Sequence, residues 1–293
     1  MARFAGSGLR TSLLSVPGAV GVETAGFDTV GEVMGCVVEH IGFAGWGGCG
    51  YYGVGGFGSV FGQLPGGFAG PLGGGTVTSS RGGLVGYGPY VDALNRGYRT
   101  ALARMVLEAR AMGADGVVGV RLPVTRLGAN NQEFLALGTA VRARSRIRPA
   151  RVFTTDLPGQ DFAKLLQAGW VPVDLAIGIS VSIRHDDWVT QRQSAWGAGN
   201  TEVLGYTELV THVRHDARER FDAAIRAAGA DGGIVSDMGL HIWEIEPSEG
   251  HRDHVAESTV TGTAVARYHA GSGAPSRSMT ILPLRDRASR RGR

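Results

Sequence analysis

Apolar positions along the chain follow two periods, and the same succession of periods occurs twice. From Pro89 to Met112, the residues Val91, Leu94, Tyr98, Leu102, Met105, Ala109 and Met112 recur at three- and four-residue steps. That spacing predicts an amphipathic helix with one apolar face. Pro89 suits its first turn, and Gly113 suits the left-handed position that stops it. Tyr206 to Ala228 repeats the pattern with Leu209, Val213, Ala217, Phe221, Ile225 and Ala228, and Gly229 is its stop. Thr29 to His40 has strand character. Gly116 to Leu122 and Phe134 to Arg144 read as an antiparallel hairpin turned at Asn130 and Asn131. Their counterparts are Val171 to Ile183, Gly233 to Ile245 and Ser258 to Tyr268, with a longer, charged hairpin loop from Glu246 to Glu257.

The words repeat as well as the periods. Gly113-Ala114-Asp115-Gly116-Val117-Val118-Gly119-Val120 returns as Gly229-Ala230-Asp231-Gly232-Gly233-Ile234-Val235-Ser236, and Gly138-Thr139-Ala140-Val141 returns as Gly262-Thr263-Ala264-Val265. Around the first strand, Pro17-Gly18 answers Pro158-Gly159, and Gly35 answers Gly178. A tandem duplication follows: one module over residues 11–146, a second over 151–270, and a basic tail over 271–293 expected to be disordered. Pro149 marks the joint.

Both copies are interrupted between first strand and helix. The second insertion, Asp186 to Asn200, is short and carries Trp188 and Trp196. The first, about 41–88, is long, and from Ile41 to Ser80 it has no charged residue. Glycine dominates it, interleaved with aromatics such as Trp46, Tyr51 and Phe57. Such a loop would not order alone. It suits packing between subunits, or docking of a membrane surface or protein partner.

Composition narrows the classes. The 293 residues and 43% hydrophobic content allow each half its own core. A net charge of +3 gives no reason to expect specific nucleic-acid binding. The two cysteines, Cys36 and Cys49, cannot build a disulfide framework, so a reducing cytoplasmic compartment is expected. The apolar run Leu13 to Val22 behind Arg3 and Arg10 is broken by Pro17 and Gly18, which argues against a signal peptide.

The order of strand, helix, GADGVVGV, hairpin and GTAV resembles the YbjQ-like family, whose modules carry a heavy-metal-binding label. The matching residues are Ala111 to Val120 with Leu137 to Val141, and Ala227 to Gly232 with Thr261 to Val265. The second copy departs at Gly233, Val235 and Ser236. The resemblance implies an α+β fold of two tandem dodecin-like modules, each a small antiparallel sheet packed on one long helix. It further implies a homo-oligomeric ring of pentamer type, and no fixed set of metal ligands. Physically, Gly113 and Gly229 read as helix stops, Asp115 and Asp231 as acceptors in a turn, and Gly138 and Gly262 as points of close backbone approach.

For metal, Glu32, Met34, Cys36 and His40 share strand parity and hence a face. Met, Cys and His suit a divalent or soft ion such as Zn or Cu. Cys36 and His40 lie about 13 Å apart at full strand rise, so one ion between them needs a bend, Cys49 from the loop, or a symmetry copy. The alternative is plainer: Met34 and Cys36 fill a core. His212 and His215 share a helix face, and His251 and His254 sit in the charged hairpin loop. No catalytic residues are assigned: there is no P-loop or nucleophile elbow, and Gly53-Val54-Gly55-Gly56-Phe57-Gly58 lacks the strand-turn-helix context of a dinucleotide motif. The expectation is a non-enzymatic oligomeric protein that binds heavy-metal ions, or else a scaffold docked through the 41–80 loop.

Overall fold

A computed structural model describes residues 11–41, 84–128, 130–146, 148–197, 199–248, 251–268 and 282–283. In chain order the elements are α1 (Val16–Thr24), β1 (Phe27–His40), β2 (Leu84–Gly86), α2 (Gly88–Ala111), β3 (Gly116–Arg121), β4 (Val124–Arg126), β5 (Asn131–Ala143), β6 (Phe153–Thr154), α3 (Gly159–Gln167), β7 (Trp170–His185), α4 (Trp188–Ser194), α5 (Leu204–Ala227), β8 (Gly232–Ser248), β9 (His251–Arg267) and β10 (Leu282–Pro283). The fold is α+β, with two sheets. Sheet one runs β1-β5-β3-β6, with β4 also on β5; sheet two runs β10-β8-β9-β7-β2.

The two sheets share a register. Glu32 faces Thr139, Cys36 faces Leu135 and Val38 faces Glu133 across β1–β5. Across β7–β9, Leu175 faces Thr263, Ile179 faces Thr259 and Val181 faces Glu257. Each first strand breaks register once at its start, between Thr29 and Gly31 and between Pro172 and Asp174. Glu32, Cys36 and Val38 therefore correspond to Leu175, Ile179 and Val181, and Glu133 corresponds to Glu257. Gly35 and Gly178 explain why each long helix sits so close to its strand. A Cβ on Gly35 would collide with the carbonyl of Ala101, and one on Gly178 with that of Ala217. Helix backbone occupies the space a side chain would need.

The long helices end alike. Gly113 and Gly229 have φ of 70° and 71°. The Gly113 N–H donates to Arg110 O at 2.9 Å and that of Ala114 to Ala109 O at 3.0 Å; Gly229 and Ala230 donate in the same way to Arg226 and Ile225. Each is a Schellman stop, which satisfies carbonyls the helix leaves without partners.

Several expectations need correction. Pro17-Gly18 and Pro158-Gly159 do not belong to strand regions. They open the short helices α1 and α3, which cross each other where a Cβ on Gly159 would strike the Gly18 backbone. Each half thus packs two helices on its sheet, not one long helix alone. The hairpin loop placed at Glu246 to Glu257 is mostly strand: β8 and β9 stay paired out to Ser248 and His251. Asp115 and Asp231 do not serve a turn. The Asp115 carboxylate accepts from the Ala143 N–H at 2.8 Å, and that of Asp231 from the Arg267 N–H at 3.1 Å, so each fixes the end of its sheet's longest partner strand. Gly138 and Gly262 do allow close approach, to Val117 and to the Ile234 backbone.

The buried face of α2 is wider than its periodicity suggests, because the helix packs on two sheets. Ala101, Met105 and Ala109 meet sheet one, while Tyr90, Val91 and Leu94 join a cluster that includes Ile179, Val181, Ile183 and Val255 of sheet two. Helix α5 packs on the other face of sheet two through Ala217, Phe221 and Ile225. The resulting layers are α5, sheet two, α2 and sheet one.

Candidate functional site

The face of sheet one turned away from α2 carries the residues singled out for metal. Val33 and Val37 point into the core with Gly35 between them, so residues of the other parity face outward. Met34 is 55% exposed and Val38 52%. Glu32 and His40 are exposed, and Cys36 is half-buried. Met34 and Cys36 therefore do not fill the core of this chain.

These donors share a face without converging. The Cys36 thiol donates to Glu133 Oε1 at 3.7 Å, and His40 Nδ1 lies 3.1 Å from Asn131 Oδ1. Helix α2 reaches over the outer edge of β1: the Met34 N–H donates to Glu108 Oε2 at 2.7 Å, and Arg104 donates to the Cys36 carbonyl. Among the described residues, no three His, Cys, Asp or Glu side chains are grouped to hold a metal ion. Cys49 and residues 42–83 of the glycine-aromatic loop lie outside the described residues.

The histidines of the second half separate. His212 and His215 are exposed on α5, and His215 Nε2 pairs with Glu219 Oε1 at 3.1 Å. The side chain of His251 lies outside the described residues. His254, expected in a solvated loop, is buried on β9. Its Nδ1 lies 3.0 Å from Asp186 Oδ1 and its Nε2 lies 3.0 Å from Glu244 Oε1. Both ring nitrogens face carboxylate oxygens, so neither is turned toward an open coordination position.

That histidine is the centre of a network the sequence pattern did not reveal. The Tyr206 hydroxyl donates to Asp186 Oδ2 at 3.3 Å, and its ring lies 4.2 Å from that of His254. Burial, followed by the Asp186 charge, pushes the Tyr206 hydroxyl above its ordinary pKa. His185 Nδ1 pairs with Asp253 Oδ1 at 2.7 Å. Arg184 pairs with Glu208 at 2.6 Å and with Asp187 at 3.3 Å. Asp187 caps α4 by accepting the Thr190 N–H at 2.8 Å, and the hydrogen bonds from Thr190 hold its carboxyl below the usual range. The network ties the insertion Asp186 to Asn200 to the ends of β7, β8 and β9. The sequence signal for it was the pair of His/Asp clusters His185-Asp186-Asp187 and Asp253-His254, which the register brings together as Arg184 faces His254 and His185 faces Asp253.

The two halves are joined by strands they give to each other. β6, at the start of the second half, adds in parallel to β3 of sheet one, Gly116 to Phe153 and Val117 to Thr154. β2, from the first half, adds to β7 of sheet two, Leu84 to Arg184 through Gly86 to Ser182. Phe153, Phe162 and Phe27 close the seam: Phe153 stacks on Phe162 with centroids 5.7 Å apart, and Phe27 meets Phe162 edge-on at 5.2 Å. A cavity of about 720 Å³ remains between the sheets, lined by Tyr98, Arg121, Leu137, Asp156, Leu175 and Asp237 among others. Burial, with the Glu257 and Asp237 charges, pushes the Tyr98 hydroxyl up to about 12.

Neither donation is reciprocated by its counterpart. Ser12-Leu13 correspond to β6, yet Gly232 and Gly233, where they would add, pair with β10. Asn200 to Glu202 correspond to β2, and they form no strand. An isologous contact would use both halves of each pair; this one uses one of each, which makes it heterologous.

Residues 74–144 match the sequence profile of a family described as "Putative heavy-metal-binding". An encapsulin nanocompartment protein of Mycobacterium tuberculosis is 32% identical over 206 residues, 67% of this chain and 74% of that protein. A UPF0145 protein of Methanococcus maripaludis is 41% identical over 59 residues, 20% of this chain and 53% of that protein. Another, of Archaeoglobus fulgidus, is 46% identical over 55 residues, 19% of this chain and 51% of that protein. The chain spans about half the length of these UPF0145 relatives. No solved structure matches it significantly. The strand-helix-strand order, the repeated GADG and GTAV elements and these matches together place the chain in the YbjQ-like family.

Proposed function

We propose that the chain is a non-enzymatic subunit of a homo-oligomeric assembly, built from two dodecin-like YbjQ modules. The observation that carries this reading is that neither strand donation, of β2 or of β6, is reciprocated. Repetition of a heterologous contact builds closed rings or filaments, and among the described strands the edge of β1 pairs with no further strand. The relative named as an encapsulin nanocompartment protein supports an assembly role. A ring of pentamer type in the cytoplasm is the form the family resemblance favours. Among the described residues, no helix is long and apolar enough to cross a membrane. Native mass spectrometry of the full chain tests the reading: discrete multimers support it, and a monomer at micromolar concentration overturns it.

A second reading is binding of a soft or divalent metal ion, Zn or Cu, at the outer face of β1. It is favoured by Met34, Cys36 and His40 sharing one face beside Glu133. Since these donors do not converge within one chain, the ion would need a further ligand from a second copy or from Cys49. Elemental analysis with and without Cys36→Ala tests it: equal metal content in both forms counts against a site there. Docking of a membrane or protein partner through residues 41–80 is tested by liposome flotation with and without that segment.

A further inference from the structure

We infer that the open outer face of sheet one docks helix α5 of a second copy of this chain. The inference rests on the assembly reading above and names its contact. The template lies inside the chain itself. On sheet two, the face bearing Ile179, Val181 and Ile183 is buried by α2 of the other half. On sheet one, the same register positions are Cys36, Val38 and His40, and no described element covers them: Met34 and Val38 are more than half exposed. The residue types agree at the centre, since Met34, Cys36 and Val38 stand where Ile177, Ile179 and Val181 stand. Covering such an apolar strip is favourable.

The helix that fits is α5, the counterpart of α2. Both helices are 24 residues long, and each is stopped by the same glycine turn. Counting from Gly113 and Gly229, Tyr98 corresponds to Arg214 and Leu102 to Arg218, and both arginines are exposed. Within the chain, Tyr98 and Leu175 line the same cavity between the sheets, and Tyr98 feels the Glu257 charge. The counterparts of those two on sheet one are Glu32 and Glu133. The two surfaces differ in a matched sense: sheet one has Glu32 where sheet two has Leu175, and α5 has Arg214 and Arg218 where α2 has Tyr98 and Leu102. Arg121, the counterpart of Asp237, is the one like charge in the set, against two carboxylates. Opposite charge at matched positions fixes register and partner. The docked helix would bring Val210, the counterpart of Leu94, over the strip.

Charge reversal with swap-back, read by native mass spectrometry and light scattering of the full chain, tests this contact. Arg214→Glu with Arg218→Glu is expected to weaken assembly at least tenfold, as is Glu32→Arg with Glu133→Arg. Mixing the two reversed proteins is expected to restore hetero-assembly through the swapped contact. Circular dichroism checks that each variant is folded, and Glu32→Arg alone serves if Glu133→Arg does not fold. Assembly insensitive to both reversals overturns the inference and leaves the assembly reading standing; residues 42–83 or another protein would then cover the face. Weakening by each reversal without recovery on mixing overturns the pairing of α5 with this face. A monomeric wild type overturns both readings.

Discussion

Tyr90 on α2 and Glu257 on β9 interact across the two halves of the chain: burial, followed by the Glu257 charge, pushes the Tyr90 hydroxyl above its ordinary value. Burial also pushes the Glu257 carboxyl above its ordinary value of 4.5, a rise that Arg126 and Tyr90 reduce. A raised folded-state value means that the folded chain binds the proton more tightly than the unfolded chain does. The contribution of Glu257 is therefore fully present below about pH 4.5 and is lost as pH rises through the raised value. Glu257→Gln should flatten this fall and stabilise the chain at neutral pH. Urea denaturation from pH 5 to 8 checks it; an unchanged pH slope would count against the assignment.

Gly35→Ala and Gly178→Ala should each lower stability by about 1–3 kcal/mol, because the added methyl overpacks a helix held against the strand. Gly86→Ala is the control, since nothing lies within 4 Å of a Cβ placed there. Thermal melts of the three variants decide the matter. Equal melting temperatures would mean that α2 and α5 can move away from their sheets at no cost.

Phe162 is fully buried between Phe153 and Phe27 at the seam of the halves. Phe162→Ala should cost about 3–5 kcal/mol. Because β6 enters sheet one beside this cluster, hydrogen exchange at the Phe153 and Thr155 amides, which donate to Asp115 and Val117, should quicken first. Loss of stability without faster exchange there would show that the seam does not hold β6.

His254→Ala removes the central partner of Asp186, whose side chain is only 2% exposed. Leaving a buried hydrogen-bonding partner unsatisfied costs about 1–3 kcal/mol. The loss should appear as faster hydrogen exchange across Trp188–Ser194, since Asp186 and Asp187 anchor α4. Metal content should not change, because the histidine faces carboxylates on both sides. A drop in bound metal in this variant would place a metal ligand at His254.

The duplication, the two long helices, their glycine stops and most strands were legible because local physics writes them. Periodicity marks buried faces, and only glycine takes a left-handed stop without strain. The short helices escaped notice since nine residues give little period, and α1 is apolar nearly all round. The charged residues of the β8–β9 hairpin look like a solvated loop in sequence because nothing local shows their partners; in the fold, Asp253 and His254 find partners and are buried.

The sequence by itself determined the module and its repetition. The tertiary structure alone decided how the copies meet. Strand donation by β2 and β6 depends on short backbone ladders at each edge, and such bonds require no particular side chain. Whether Met34 and Cys36 face a core or solvent was likewise undecided by alternation, which assigns residues to a face but not the face to a neighbour. That assignment depends on which side α2 packs, and α2 lies beneath β1 on the side of Val33 and Val37.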